Sequence, residues 1–264
     1  MSAWLVGHVP SWLLLIGVIV FVTGLSVLVQ IFVRRRFPGL AAEEHNDVLR
    51  FAAGVIVLVF TFFIGFVVSA RWSEINAADG RARAEGASGV QLANRLHVFG
   101  EPDSERIRVA LLQYEEAAVI EWDVAASGGS YPPADRASND LRSAYEQVQA
   151  SNDLQKTMLT SSFTDLDNLS MARTERVLQA RSDVGPPWPL WAVILLTTAV
   201  LLGCGIIYGV ANPASHFAMV AVLAVLVGTI LFLVLMLSHP YLGQIAASPE
   251  PLREVIRALS PNPP

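Results

Sequence analysis

The chain has 264 residues, of which 53% are hydrophobic and 16% charged, with a formal net charge of −5 and a mean hydropathy of +0.47. That is too apolar for one or two ordinary soluble domains, and basic residues scattered among a larger number of acids exclude a nucleic-acid-binding patch. Cys204 is the single cysteine, which excludes an intramolecular disulfide.

In chain order, residues 1 to 11 carry no Lys or Arg. Then comes the first of four windows free of Asp, Glu, Lys and Arg: Trp12 to Val33, Phe51 to Ala70, Leu190 to Val210 and Phe217 to Leu237. A helix of about 20 residues, rising about 1.5 Å per residue, crosses a hydrocarbon core of roughly 30 Å. The first window is too long for a signal peptide and no small-x-small cleavage site follows it, so it is expected to remain as an anchor. These windows predict an all-α polytopic membrane protein with four transmembrane helices in two pairs. The expected divisions are a hairpin over 1–70, a polar helical extramembrane domain over 71–186, a second hairpin over 187–238 and an amphipathic tail over 239–264.

Arg34, Arg35 and Arg36 follow the first window and Arg50 precedes the second, so the positive-inside rule places this connection in the cytoplasm. The termini and the polar domain then lie outside a bacterial inner membrane. Arg71, Arg81, Arg83, Arg176, Arg181, Arg253 and Arg257 sit near helix ends on the other side and count against this orientation, but long domains translocate largely regardless of charge. Residues 71–186 hold 12 basic and 18 acidic residues, a net of −6 that gains nothing from an anionic cytoplasmic leaflet.

Beyond Trp72 the small and apolar positions Ile75, Ala78, Ala82, Gly89, Leu92, Leu96 and Phe99 step by three and four, so the second transmembrane helix is predicted to run well past the membrane. Gly100, Glu101 and Pro102 break it. Asp103 or Ser104 is expected to cap a helix with the stripe Ile107, Leu111, Tyr114, Ala118 and Trp122. Residues 127–133, SGGSYPP, read as a loop, followed by helices from about Ser138 and about Asp153, together a hairpin or bundle. Trp4, Trp12, Trp188 and Trp191 suit the interfacial aromatic belts. Ser248 and Pro249 open a last helix whose face of Leu252, Val255, Ile256 and Leu259 lies either in the membrane interface or on the protein's own bundle.

Candidate functional residues are few. No Asp, Glu, Lys, Arg or His occurs in the four windows, which argues against a proton-coupled transporter, a pump or a voltage sensor. Phe60, Phe62, Phe63 and Phe66 fit a hydrophobic constriction in an oligomeric pore, although lipid-facing or bundle-filling phenylalanine is the commoner role. Gly203, Gly205 and Gly209 include the small-xxx-small spacing of close helix packing or of an oligomer interface. Glu43, Glu44, His45, Asn46 and Asp47 bunch potential ligands, but adjacent positions on a short loop rarely converge on one metal. Glu85 falls on the apolar seam of the first stalk helix and Arg173 on that of the last, where a buried ion pair competes with surface exposure as the explanation. Glu115, Glu116, Glu121 and Asp123 read as a solvated face. The five histidines are dispersed, no hydrolase, zinc-protease or phosphate-loop motif occurs, and no cofactor or metal is implied.

The chain resembles a bacterial family of uncharacterised membrane proteins carrying a bestrophin-like domain. The matching stretches are His45-Asn46, Trp72, Ala84-Glu85, Glu121-Trp122, Leu166-x-x-Leu169-x-x-x-Arg173, the Pro- and Trp-rich approach to the third transmembrane helix, and His239-Pro240 followed by Ser248-Pro-Glu-Pro-Leu-Arg253. The resemblance spans nearly the whole chain from residue 40. Bestrophin anion channels are similar in having a charged, aromatic-rich helix after a transmembrane helix, and in them it lies in the cytoplasm, opposite to the arginine count. The sequence reading is a non-enzymatic accessory, scaffold or sensor-like subunit, with a bestrophin-type anion channel lined by the second transmembrane helix as the alternative. Its partners are the lipid bilayer and either further copies of the chain or another membrane protein.

Overall fold

The computed structural model describes residues 2–37, 46–182, 185–208, 210 and 212–260, and no strand occurs among them. In chain order the helices are α1 (Ser2–His8), α2 (Ser11–Arg36), α3 (Asn46–Arg95), α4 (Asp103–Ala126), α5 (Pro132–Glu146), α6 (Asp153–Ser182), α7 (Trp188–Ile207), α8 (Pro213–Met236) and α9 (Glu250–Leu259). A short 3-10 turn, Leu96–Val98, follows α3.

The chain divides into two compact units. The first comprises Met1–Ser73, Val184–His239 and Gly243–Ile245; the second comprises Glu74–Asp183, Pro240–Leu242 and Ala246–Pro264. α3 contributes to both. Its 50 unbroken residues, about 75 Å of helix, agree with the periodicity that carries the second transmembrane helix past the membrane.

In the first unit α2 lies along α8 and α7 packs against both. Among the described residues, α2, α3, α7 and α8 are long and apolar enough to span a bilayer, with hydropathies of 2.4–3.0 over windows only 17–33% buried within the chain. So much outward-facing apolar surface is tolerable in lipid and not in water. The protein is therefore an integral membrane protein with its four spans in two pairs. Their inner faces join Val22, Phe60, Ile64, Val67, Ile194, Leu201, Ala224 and Val227 in one core. At Gly228 an added Cβ would stand 3.1 Å from the Ile19 backbone, and at Gly205 3.0 Å from Leu223, so small residues set the closest helix approaches, whereas Gly203 has open space.

The second unit builds its core from Leu92, Ile107, Leu111, Tyr114, Leu141, Tyr145, Leu166 and Leu169, joined by Leu252, Val255 and Leu259 of α9. The amphipathic C-terminal helix is thus docked on its own bundle. Three details differ from the sequence expectation. α5 starts at Pro132 rather than near Ser138, because prolines are well placed in a first helical turn, where the missing N–H has no partner to lose. Pro102 occupies the cap position of α4 and Asp103 is already helical, paired with Arg106 at 2.6 Å. Pro249 occupies the cap position of α9, while the Ser248 hydroxyl accepts from the Glu250 amide at 3.2 Å.

Candidate functional site

A chain of charges runs through the second unit. α3 places Glu85, α4 places Tyr114 and Glu121, and α6 places Arg173 and Arg176, which lie on one face because they are three residues apart. Arg176 donates to Glu85 through Nε at 2.6 Å and Nη2 at 3.0 Å, and its Nη2 reaches Glu121 at 3.3 Å. Arg173 grips Glu121 with Nε at 2.9 Å and Nη2 at 2.7 Å, and reaches Asp135 of α5 at 2.7 Å. The Tyr114 hydroxyl donates to Glu85 at 2.8 Å. The Arg176 guanidinium lies over the Trp122 ring, 5.5 Å from its centroid, and Tyr241 meets the same ring edge-on at 5.4 Å.

Glu85 and Arg176 are fully enclosed, and Glu121 is 1% exposed. Two guanidiniums hold three carboxylates, and each bidentate fork satisfies several donors at once, which is what makes burial of such charges tolerable. Burial opposes the charge on Arg173 and Arg176, but the bonds and fields of Glu121, Asp135 and Glu85 outweigh it and hold both guanidiniums more firmly protonated than usual. Burial, then the negative charge of Glu85, pushes the Tyr114 phenol well above its ordinary value, so Tyr114 is a fixed donor. The arrangement can clamp α3, α4, α5 and α6 in one register. With its acids engaged by arginines, it offers no free general base.

Four of the singled-out residues, Glu85, Glu121, Trp122 and Arg173, therefore meet in one place. The partner assignment differs from a Glu85–Arg173 pair, because Arg176 reaches Glu85 and Arg173 reaches Glu121. Arg176, counted by sequence among the helix-end charges, is a core residue. The solvated reading of Glu115 and Glu121 is overturned: both are buried on the inner face of α4, while Glu116 and Asp123 are exposed. The signal that could have found Arg176 is Glu85 itself, since an acid on an apolar seam demands a buried cation.

The other candidates lie elsewhere. Pro240 is buried in the second unit and accepts from the Ala247 amide at 2.9 Å. Trp72 belongs to the first unit and is 49% exposed. Asn46 is the first residue of α3; its side chain, His45 and Gly209 lie outside the described residues, as do the side chains of the acidic loop around them. In the first unit α3 turns Phe60 inward and carries Phe51, Leu58, Phe62 and Phe66 on a face 68–80% exposed. Leu58, Val59, Phe62, Phe63 and Phe66 line a shallow apolar hollow of about 470 Å³ on this face.

A family model described as Bestrophin-like domain matches residues 20–252. No curated protein sequence matches the chain. Among solved structures, a mutant bacterial bestrophin homolog from Klebsiella pneumoniae is similar at a TM-score of 0.62 and 15% identity, over 93% of this chain and 98% of that one. A second mutant of a bestrophin homolog from the same organism gives 0.60 and 14%, over 93% and 97%. A crystal structure described as a membrane protein gives 0.58 and 18%, over 91% and 97%. At these identities the likeness is one of fold.

Proposed function

The chain belongs to the bestrophin-like domain family, and from that premise we propose that it forms a homo-oligomeric anion channel in a bacterial inner membrane, lined by α3. The observation that carries this reading is the exposed stripe of Phe51, Leu58, Phe62 and Phe66 on a helix whose opposite face, Phe60, Ile64 and Val67, is packed. Around a symmetry axis such a stripe makes a narrow apolar constriction of the kind that gates by dewetting. Aromatic rings carry a positive edge, so a ring of phenylalanines turned edge-on favours anions over cations without any charged side chain. We read the protein as non-enzymatic, since Glu85 and Glu121 of the buried network are tied to arginines.

Reconstitution of the purified chain in a planar bilayer tests the proposal. Anion-selective current, altered in unitary size by Phe62→Ala, supports it. A silent bilayer together with a monomeric mass in detergent overturns it and favours the accessory-subunit reading. Sidedness is separable from conduction. The arginines of the α2–α3 connection support an extracytoplasmic second unit, and bestrophins imply the reverse. A cysteine at Ser130 in a Cys204→Ala background, labelled in intact cells by an impermeant maleimide, supports the outside placement; protection until lysis overturns it.

A further inference from the structure

Glu115 is the acid that the ion network leaves over. Its side chain is completely buried, and neither carboxyl oxygen has a hydrogen-bond partner. An ionised carboxylate there would bear its desolvation cost uncompensated. Burial, followed by the repulsion of Glu85, pushes its pKa well above the usual carboxylate range against the weaker pull of Arg176.

Space explains how the side chain fits. Gly89 of α3 has no side chain, and a Cβ there would stand 2.5 Å from Glu115 Oε1 and 2.9 Å from a methyl of Val255 on α9. The carboxyl and Val255 share the hollow above Gly89. At Gly86, one turn earlier, a Cβ would fall 2.6 Å from the Pro251 carbonyl oxygen. α9 is therefore seated on α3 at two glycines, with Glu115 beside the second.

The charged groups around Glu115 are already committed. Glu85 of α3 is held by Arg176 and Tyr114, and Arg176 of α6 is shared between Glu85 and Glu121. On α4 itself Tyr114 is a buried phenol, Glu116 is exposed, Glu121 is bound by Arg173, and Arg108 pairs with Glu105. On α9, Glu250, Arg253, Glu254 and Arg257 are about half exposed and pair among themselves. What α9 brings to the hollow is the aliphatic Val255.

We propose that Glu115 is a proton-binding site that latches the C-terminal helix: with the proton on, α9 is seated, and ionisation drives α9 from its seat. α9 is the element that yields because it has 10 residues, against 24 in α4, 30 in α6 and 50 in α3. Lifting it hydrates the carboxylate while exposing the fewest apolar groups. A raised folded-state pKa means that seating is complete in acid, below the ordinary carboxylate range, and weakens as pH rises toward the raised one. Over that window the seating equilibrium falls by up to about tenfold per pH unit. This holds whether or not the first unit conducts ions.

The test uses the full chain in detergent, in a Cys204→Ala background, with spin labels on cysteines at the exposed positions Gln113 of α4 and Arg253 of α9. Pulsed distance measurements from about pH 5 to about pH 9 should give a single short distance in acid and a growing longer population as pH rises, with helix content unchanged. Glu115→Gln should keep the short distance throughout. A pH-invariant distance in the unsubstituted chain overturns the latch by itself, and so does the same pH dependence in the Gln variant. If Glu115→Gln does not fold, Glu115→Leu takes its place with the same two outcomes.

Discussion

In the membrane unit the described residues bury no Asp, Glu, Lys or Arg, and helices close on one another where side chains are smallest, as at Gly228 against Ile19. In the polar unit Glu85, Glu121 and Arg176 lie inside, with Tyr114 on Glu85 and Trp122 over Arg176. Both are helical, so the contrast comes from the solvent. Lipid supplies no hydrophobic force between helices, which leaves close contact and small residues to hold them. Water supplies that force in surplus, and a water-solvated bundle can enclose charges provided that each meets a partner.

The sharpest way to break this comparison is Arg176→Ala, which leaves Glu85 without a buried cation and Glu121 with Arg173 alone. A loss of about 3–5 kcal/mol is expected, read as a lower thermal midpoint of the helical circular-dichroism signal; a loss below about 1 kcal/mol would show that the network is hydrated like a surface pair. Next in size is Gly86→Ala, whose Cβ meets backbone at Pro251. Overpacking of about 1–3 kcal/mol should unseat α9 and open the C-terminal segment to protease, and an unchanged digestion pattern would refute the seating geometry. Gly80→Ala, on the same helix with open space around it, should stabilise by about 1 kcal/mol through helix propensity. Opposite signs for these two glycines separate contact from propensity. The smallest effect belongs to the membrane unit: Phe62→Ala, at a position 80% exposed, should change stability by less than about 0.5 kcal/mol even where it alters conductance. A large loss in a monomeric preparation would show that the Phe62 ring is packed within the chain.

Sequence alone carried much of the architecture because its signals were collective. The run from Ile75 to Phe99 keeps its three-and-four step for about 25 residues, and α3 runs unbroken through it to Arg95, with a 3-10 turn over Leu96–Val98 after it. Boundary chemistry was weaker: Pro132 and Pro133 read as part of a loop and turned out to open α5. Exposure of single acids was the least legible. Glu115 and Glu116 are adjacent, about 100° apart on the helix, and one is buried while the other is exposed.

Four charge-free windows determine, without any structure, that the chain crosses a membrane, because about 20 uncharged apolar residues have one inexpensive solvent. Periodicity likewise determines which face of each polar helix turns inward. It does not determine which helix waits there. That Glu85 meets Arg176, 91 residues away, and that Glu115 lodges over Gly89 beneath Val255, were decided by the packing of α3, α4, α6 and α9. Ion pairs and steric hollows depend on positions in space to within an ångström or two, and a one-dimensional pattern carries direction without distance.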